Sequence, residues 1–242
     1  MPGAPRTDPY VRNYLIRLLP WVMTVRQIAS RTPLTPISRF PGSVSGASKV
    51  GCVLARTMLL MSGYRRWRVE GGTFFFTVVT YRRQRFLTSE VGRGALREAF
   101  RQVRQLRPFK VVAIVLLPDH LHTVWELPRG DTDYTTRWRQ IKTLVTRALV
   151  GRIGEAAVSA SRRRRAEKGI WQRRFYEHMC RDEADVKRLV DYIHVNPVKH
   201  RLIARVRDWP WSSFHRYVQL GEYSIDWGSS DLWYADEFSR LE

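Results

Sequence analysis

The sequence predicts an α+β fold, a four-stranded antiparallel sheet laid down as β-α-β-β-α-β, followed by one further helix that carries chemistry. Three observations predict it. Strand-length runs of aromatic and β-branched or aliphatic residues recur, as in Thr73 to Tyr81 (TFFFTVVTY) and Phe109 to Leu117. Stretches of helical periodicity alternate with them and begin at capping residues. A tight turn at Pro118-Asp119 sends the chain straight back as the strand His120 to Leu127.

Taken in order, Thr73 to Tyr81 is the first strand. Thr88 and Ser89 offer an N-cap for a helix reaching about Leu106, with Val91, Leu96, Phe100 and Val103 as its expected buried side. The hairpin of Phe109 to Leu117 and His120 to Leu127 follows. Asp131 to Tyr134 is a loop, and Thr135 opens a helix to about Val150. A basic insertion containing Arg162 to Arg165 reads as a mobile loop that adds affinity for polyanions without sequence choice. Arg174 to Cys180 makes the fourth strand. Asp182 caps the last helix, with Asp185 three positions on, and Pro197 is expected to end it. The first six elements match the ferredoxin-like unit, whose helices share one face of the sheet. That arrangement hosts many functions, so function has to come from particular residues.

Residues 1–60 differ from the rest. They hold eight Lys or Arg, one acid (Asp8), and prolines at 2, 5, 9, 20, 33, 36 and 41. Arg12, Arg17 and Pro20 break the apolar core that a secretory signal needs. The segment reads as a poorly ordered basic extension, and Met61 offers an internal start, which would make the first sixty residues a mis-assigned beginning. The functional domain is expected over 61–227, with a short tail at 228–242.

Lys and Arg outnumber Asp and Glu by 42 to 22, a formal net charge of +20. Such a surplus points to a polyanionic partner, nucleic acid ahead of an anionic membrane. The only two cysteines, Cys52 and Cys180, stand far apart. They offer neither a disulfide framework nor a cysteine-rich zinc site, which fits a reducing cytoplasm. No apolar run approaches the roughly 20 residues of a membrane-spanning helix, so no membrane partner is expected.

Two short constellations carry chemistry. In His120-Leu121-His122, strand alternation turns both imidazoles to one face, where they can share a metal ion. In DYIHVNPVKH (191–200), Tyr192 and Asn196 are i and i+4 on a helix and project together. Each has an ordinary reading: two polar strand residues, a core aromatic, a polar helix end. Together they make a reaction. Asn supplies a hard oxygen ligand suited to Mg²⁺ or Mn²⁺, and imidazole is tolerated by Mn²⁺. A bound cation polarises a phosphodiester, and a phenol supplies a covalent intermediate that conserves the bond for rejoining. Candidate DNA-binding residues are Arg137, Arg139 and Lys142 on the helix after the hairpin. Trp171, Arg173 and Arg174 mix an aromatic platform with guanidinium groups, and Lys199 and His200 follow the catalytic helix. Each group has a plainer counterpart, a solvated basic face or a core tryptophan.

The hydrophobic-centred His120-Leu121-His122 resembles the HUH motif of single-tyrosine nucleases and transposases. With GGTFFFTVVT (71–80), LLPDHLHTVWELP (116–128), TRWRQIK (136–142), IWQRRFYEH (170–178), DYIHVNPVKH (191–200) and DWPWSSFHRY (208–217), the chain resembles the REP-associated tyrosine transposases over roughly residues 62–227. The resemblance implies Tyr192 as nucleophile, His120 and His122 as metal ligands, and Asn196 as a third ligand where related insertion-sequence transposases carry glutamine. It implies a 5′-phosphotyrosine intermediate with a free 3′-hydroxyl, formed on a single-stranded hairpin from a repetitive extragenic palindrome. It also implies a cytoplasmic, nucleoid-associated protein acting as monomer or homodimer. The rival readings are a non-catalytic binder of structured single-stranded DNA or RNA, and a hydrolase that uses water.

Overall fold

The expected strands form one sheet. A computed structural model of the chain describes residues 66–154 and 157–228, and the expectations for residues 1–60 and for the tail beyond 228 fall outside it. Strand β1 (Thr73–Val79), helix α1 (Glu90–Leu106), β2 (Lys110–Leu116), β3 (His120–Glu126), helix α2 (Tyr134–Leu149) and the short helix α3 (Ala160–Arg164) come first. Then follow β4 (Tyr176–Met179), helix α4 (Glu183–Lys199) and helix α5 (Phe214–Gln219). The sheet order is β2-β3-β1-β4 with every neighbouring pair antiparallel, as the ferredoxin-like topology requires.

Local chemistry explains the boundaries. Ser89 caps α1 by accepting from Gly92 N at 3.1 Å. Gly92 is needed there, because a Cβ would meet the Phe86 carbonyl oxygen at 2.0 Å. The buried stripe of α1 is Gly92, Leu96, Ala99, Phe100 and Val103. Val91, expected inside, is 41% exposed, since it sits one residue off the i, i+4 row through Gly92 and Leu96. Asp133 caps α2 through Thr136 N at 2.9 Å, one residue earlier than expected. The arginine run, expected as a loop, forms α3 instead, with Ser159 as its N-cap. Asp182 caps α4 through Asp185 N at 2.8 Å.

Pro197 does not end α4. It lies inside the helix, which continues to Lys199. A proline has no N–H to donate four residues back but keeps a helical φ, so one hydrogen bond is lost rather than the helix. The end comes at Arg201, whose φ is 55°.

Strand alternation gives the sheet two different faces. Phe74, Phe76 and Trp125 point toward α1 and α2, where Trp125 stacks on Trp138 at 4.3 Å and Phe100 meets Trp125 edge-on at 5.8 Å. Phe75, Thr77, His120 and His122 point the other way, toward α4. The outer edge of β2 is closed by the segment after α4. Leu116 N donates to Trp211 O at 2.8 Å and Ser213 N to Ile114 O at 2.8 Å, which removes an open pairing edge. This aromatic segment docks on the domain. Phe214, Tyr217, Tyr223 and Trp227 surround His194 on the outer side of α4.

Candidate active site

The two strand histidines sit side by side, ring centroids 5.0 Å apart and planes at 86°. Each has its Nδ1 engaged. Asp119 Oδ1 lies 2.7 Å from His120 Nδ1, and Thr77, the cross-strand partner of His122, places Oγ1 2.9 Å from His122 Nδ1. A neutral imidazole that donates from Nδ1 presents Nε2 as a lone pair, the arrangement found in carboxylate–histidine–metal triads. Burial pushes the His120 imidazole below its ordinary pKa against the opposing pull of Asp119, with His200 and Arg83 adding to the lowering. The neutral, ligating form is thereby favoured. Burial alone would raise Asp119, but hydrogen bonding and charge from His120 and Arg83 hold it below the usual carboxylate range.

His120 Nε2 and both amide atoms of Asn196 are buried at this site without a hydrogen-bond partner among the described residues. Each buried, unsatisfied polar atom costs about 1–3 kcal/mol. Buried polar atoms are usually paired, and these are atoms whose hydrogen bonding a ligand would complete. Among the described residues no group of three or more His, Cys, Asp or Glu is placed to hold a metal ion by itself. The donor set on offer is therefore two imidazoles and a carboxamide.

Helix α4 completes the site. Tyr192 is fully buried, its ring 5.3 Å from that of His122 and 5.9 Å from Phe75, both edge-on. Lys199 Nζ stands 5.1 Å from the Tyr192 ring centroid, and the His200 ring is 5.0 Å from that of His120. Tyr192, Asn196, Lys199 and His200 follow at i, i+4, i+7 and i+8, one stripe of a helix laid over the histidines. His194, two residues from Tyr192, faces away and sets its Nε2 2.8 Å from Ser213 Oγ.

The other expected contacts divide. Arg137 is not available to DNA. It is buried, paired with Asp131 at 2.6 Å, and donates to the carbonyls of Arg107, Pro108 and Asp133. Trp171 is likewise a core residue, bridged to Thr80 and edge-on to Phe86 at 6.1 Å. Lys142 is held by the Gln172 carbonyl at 2.9 Å, and burial drops its pKa to about 8. Arg139 is exposed, but like Lys142 it belongs to α2, behind the sheet from the histidines. Arg173 is exposed and paired with Glu167 at 2.7 Å, while Arg174 is exposed with no ion pair among the described residues. The site residues that sequence reasoning missed are Thr77, Asp119 and Phe75. Alternation along β1 would have put Thr77 and Phe75 on one face, but only the β1–β3 register reveals which histidine each meets.

The chain is similar to known proteins over most of its length. The family described as "Transposase IS200 like" matches residues 73–196. The chain is 45% identical over 168 residues to the REP-associated tyrosine transposase of Escherichia coli K12, covering 69% of this chain and 91% of that one. It is 43% identical over 171 residues to a Haemophilus influenzae relative assigned to the same group, covering 70% and 95%. A solved structure of a REP-associated tyrosine transposase bound to a REP hairpin superposes with a TM-score of 0.59 at 44% identity, covering 71% of this chain and 94% of that one. The chain thus belongs to the IS200-like transposases and, among them, to the REP-associated tyrosine transposases, enzymes that cut DNA and transfer strands.

Proposed function

We propose that this enzyme is a metal-dependent single-stranded DNA nickase and strand transferase that acts on a palindromic, REP-like hairpin through a 5′-phosphotyrosine at Tyr192. The observation that carries the reading is the contact of the Tyr192 and His122 rings across the sheet–helix interface, 5.3 Å apart. In this reading the Tyr192 oxygen attacks phosphorus and its proton passes to water. The bond from phosphorus to the 3′-oxygen breaks, that oxygen takes up a proton, and the 5′-phosphate stays on Tyr192. Attack on this linkage by a 3′-hydroxyl restores a phosphodiester and frees the phenol, so bond energy is conserved between cutting and joining.

A phenol near its ordinary pKa of about 10 is a poor nucleophile. His120, His122 and Asn196 would hold a divalent cation, Mg²⁺ or Mn²⁺, whose charge would polarise the phosphodiester and stabilise charge as it develops. The orphaned His120 Nε2 and Asn196 amide fit that role. Asp119 and Thr77 fix the orientation of the two imidazoles, Phe75 backs the Tyr192 ring, and Lys199 adds positive charge beside it. His200, Arg173 and Arg174 are the further DNA contacts in this reading. Because Tyr192 is fully buried, a scissile phosphate reaches it only when α4 or its C-terminal side chains shift aside. The residues of the site come from one chain, so a monomer suffices. In this reading the place of action is the cytoplasm, at the nucleoid.

The test is incubation with an end-labelled single-stranded hairpin and Mg²⁺ or Mn²⁺, followed by denaturing electrophoresis. Wild type is expected to form a covalent protein–DNA adduct, and Tyr192→Phe to bind the hairpin without forming one. Cleavage that survives Tyr192→Phe would instead identify a hydrolase that uses water.

A further inference from the structure

The turn after β1 adopts a conformation that its residue types disfavour. Arg82 and Arg83 are consecutive non-glycine residues in the left-handed region, with φ of 54° and 51°. Such backbone costs about 1–2 kcal/mol per residue, and glycine would make the same turn without the penalty. The surroundings hold it in place: Thr80 N donates to Asp119 O at 2.9 Å and Tyr81 N to Ile170 O at 2.9 Å. A strained turn that carries charged side chains is a candidate for function rather than stability.

Its position and charge narrow what that function is. Val79 pairs with His120, so the turn leaves the sheet at the histidine end. Arg82 and Arg85 are exposed and make no ion pair among the described residues. Arg83 pairs at 3.3 Å with Asp119, the carboxylate that also holds His120. The Tyr81 ring lies under two guanidinium groups, Arg162 of α3 at 4.1 Å and Arg82 at 5.3 Å. The acids here, Asp119 and Glu167, are both taken up, the latter by Arg162 at 2.8 Å and Arg173 at 2.7 Å. Exposed guanidinium groups that exceed the local acids match phosphate oxygens.

We propose that the Tyr81–Arg85 turn is a docking site for the phosphodiester backbone of single-stranded DNA, holding the strand where it enters the histidine end of the active site. The proposal rests on the DNA-cleaving reading above and adds the element that positions the substrate. Arg82 and Arg85 supply the phosphate contacts. Arg83, sharing a carboxylate with His120, keeps the docked strand within one side chain's reach of the reacting centre.

The experiment is fluorescence anisotropy over a salt series, using metal-free Tyr192→Phe protein and a labelled DNA hairpin with single-stranded flanks. Neither cleavage nor metal enters this readout, so failure of the covalent chemistry would leave it intact. The double variant Arg82→Gly/Arg85→Gln is expected to bind about tenfold more weakly. Its slope of log K against log salt should become shallower by about 1.4, two contacts at roughly 0.7 each. Arg82→Gly alone relieves the strained backbone, so its thermal midpoint should hold or rise while binding weakens. Unchanged affinity would overturn the proposal. So would weaker binding with an unchanged salt slope, because that loss would be structural rather than electrostatic.

Discussion

The two faces of one sheet obey different rules. Toward α1 and α2, Phe74, Phe76, Trp125, Trp138 and Phe100 make a continuous aromatic core. Toward α4, the same strands present His120, His122 and Thr77 beneath a buried tyrosine and an asparagine whose amide atoms have no hydrogen-bond partner among the described residues. The first face minimises free energy by burying apolar area. The second holds polar groups in place at a cost to stability, as expected where a ligand is to complete the hydrogen bonding. A step of one residue along a strand, half its period of two, separates scaffold from chemistry.

That contrast is sharpest when one residue from each face is removed. His122→Ala should raise the cleavage barrier by several kcal/mol, about a thousandfold in the rate of adduct formation, while the protein stays folded. Trp138→Ala should destabilise by about 3–5 kcal/mol in chemical denaturation, with adduct formation per folded molecule preserved below the transition. If the two variants exchanged phenotypes, the division into scaffold and site would fail.

A smaller effect with an unusual sign is expected at Asn196. Asn196→Leu replaces an unsatisfied amide with an apolar side chain of similar size, so stability should rise by about 1–2 kcal/mol while metal-supported cleavage falls. A variant that is both less stable and fully active would remove Asn196 from the proposed donor set.

Near neutral pH the smallest effect is a pH dependence, which grows on acidification. Burial, helped by the nearby charge of His215, drops the His194 pKa from 6.5 to about 3. The unfolded state then binds this proton first. The contribution to stability is present above pH 6.5 and is lost as pH falls toward 3. His120, also lowered by burial, adds a loss of the same sign. Thermal melting across that window should show falling midpoints on acidification, and His194→Gln should flatten part of the slope.

Periodicity made the strand order, the caps at Ser89 and Asp182, and the pairing of Tyr192 with Asn196 legible in the sequence. These are local properties, written within a few residues of chain. Contacts that depend on register or on which way a basic helix faces were not legible. Thr77 meets His122 across 45 positions of sequence, and Arg137 looked like a surface cation until Asp131 and three carbonyls enclosed it. Trp171 was equally plausible as platform or core, and only the bridge to Thr80 decides it. Pro197 misled because the rule that proline ends helices acts through one missing donor, which α4 tolerates near its end. The left-handed Arg82 and Arg83 carried no signal at all, since neither residue type foretells a positive φ.

The account turns on which oxygen becomes joined to DNA. Digesting the adduct with nuclease and protease and mapping the nucleotide-bearing peptide by mass spectrometry decides it directly. A single nucleotide 5′-phosphate on Tyr192 is the predicted result. Modification of Tyr176, which is 40% exposed and edge-on to Phe75 on the same face of the sheet, or of any other residue, would contradict it.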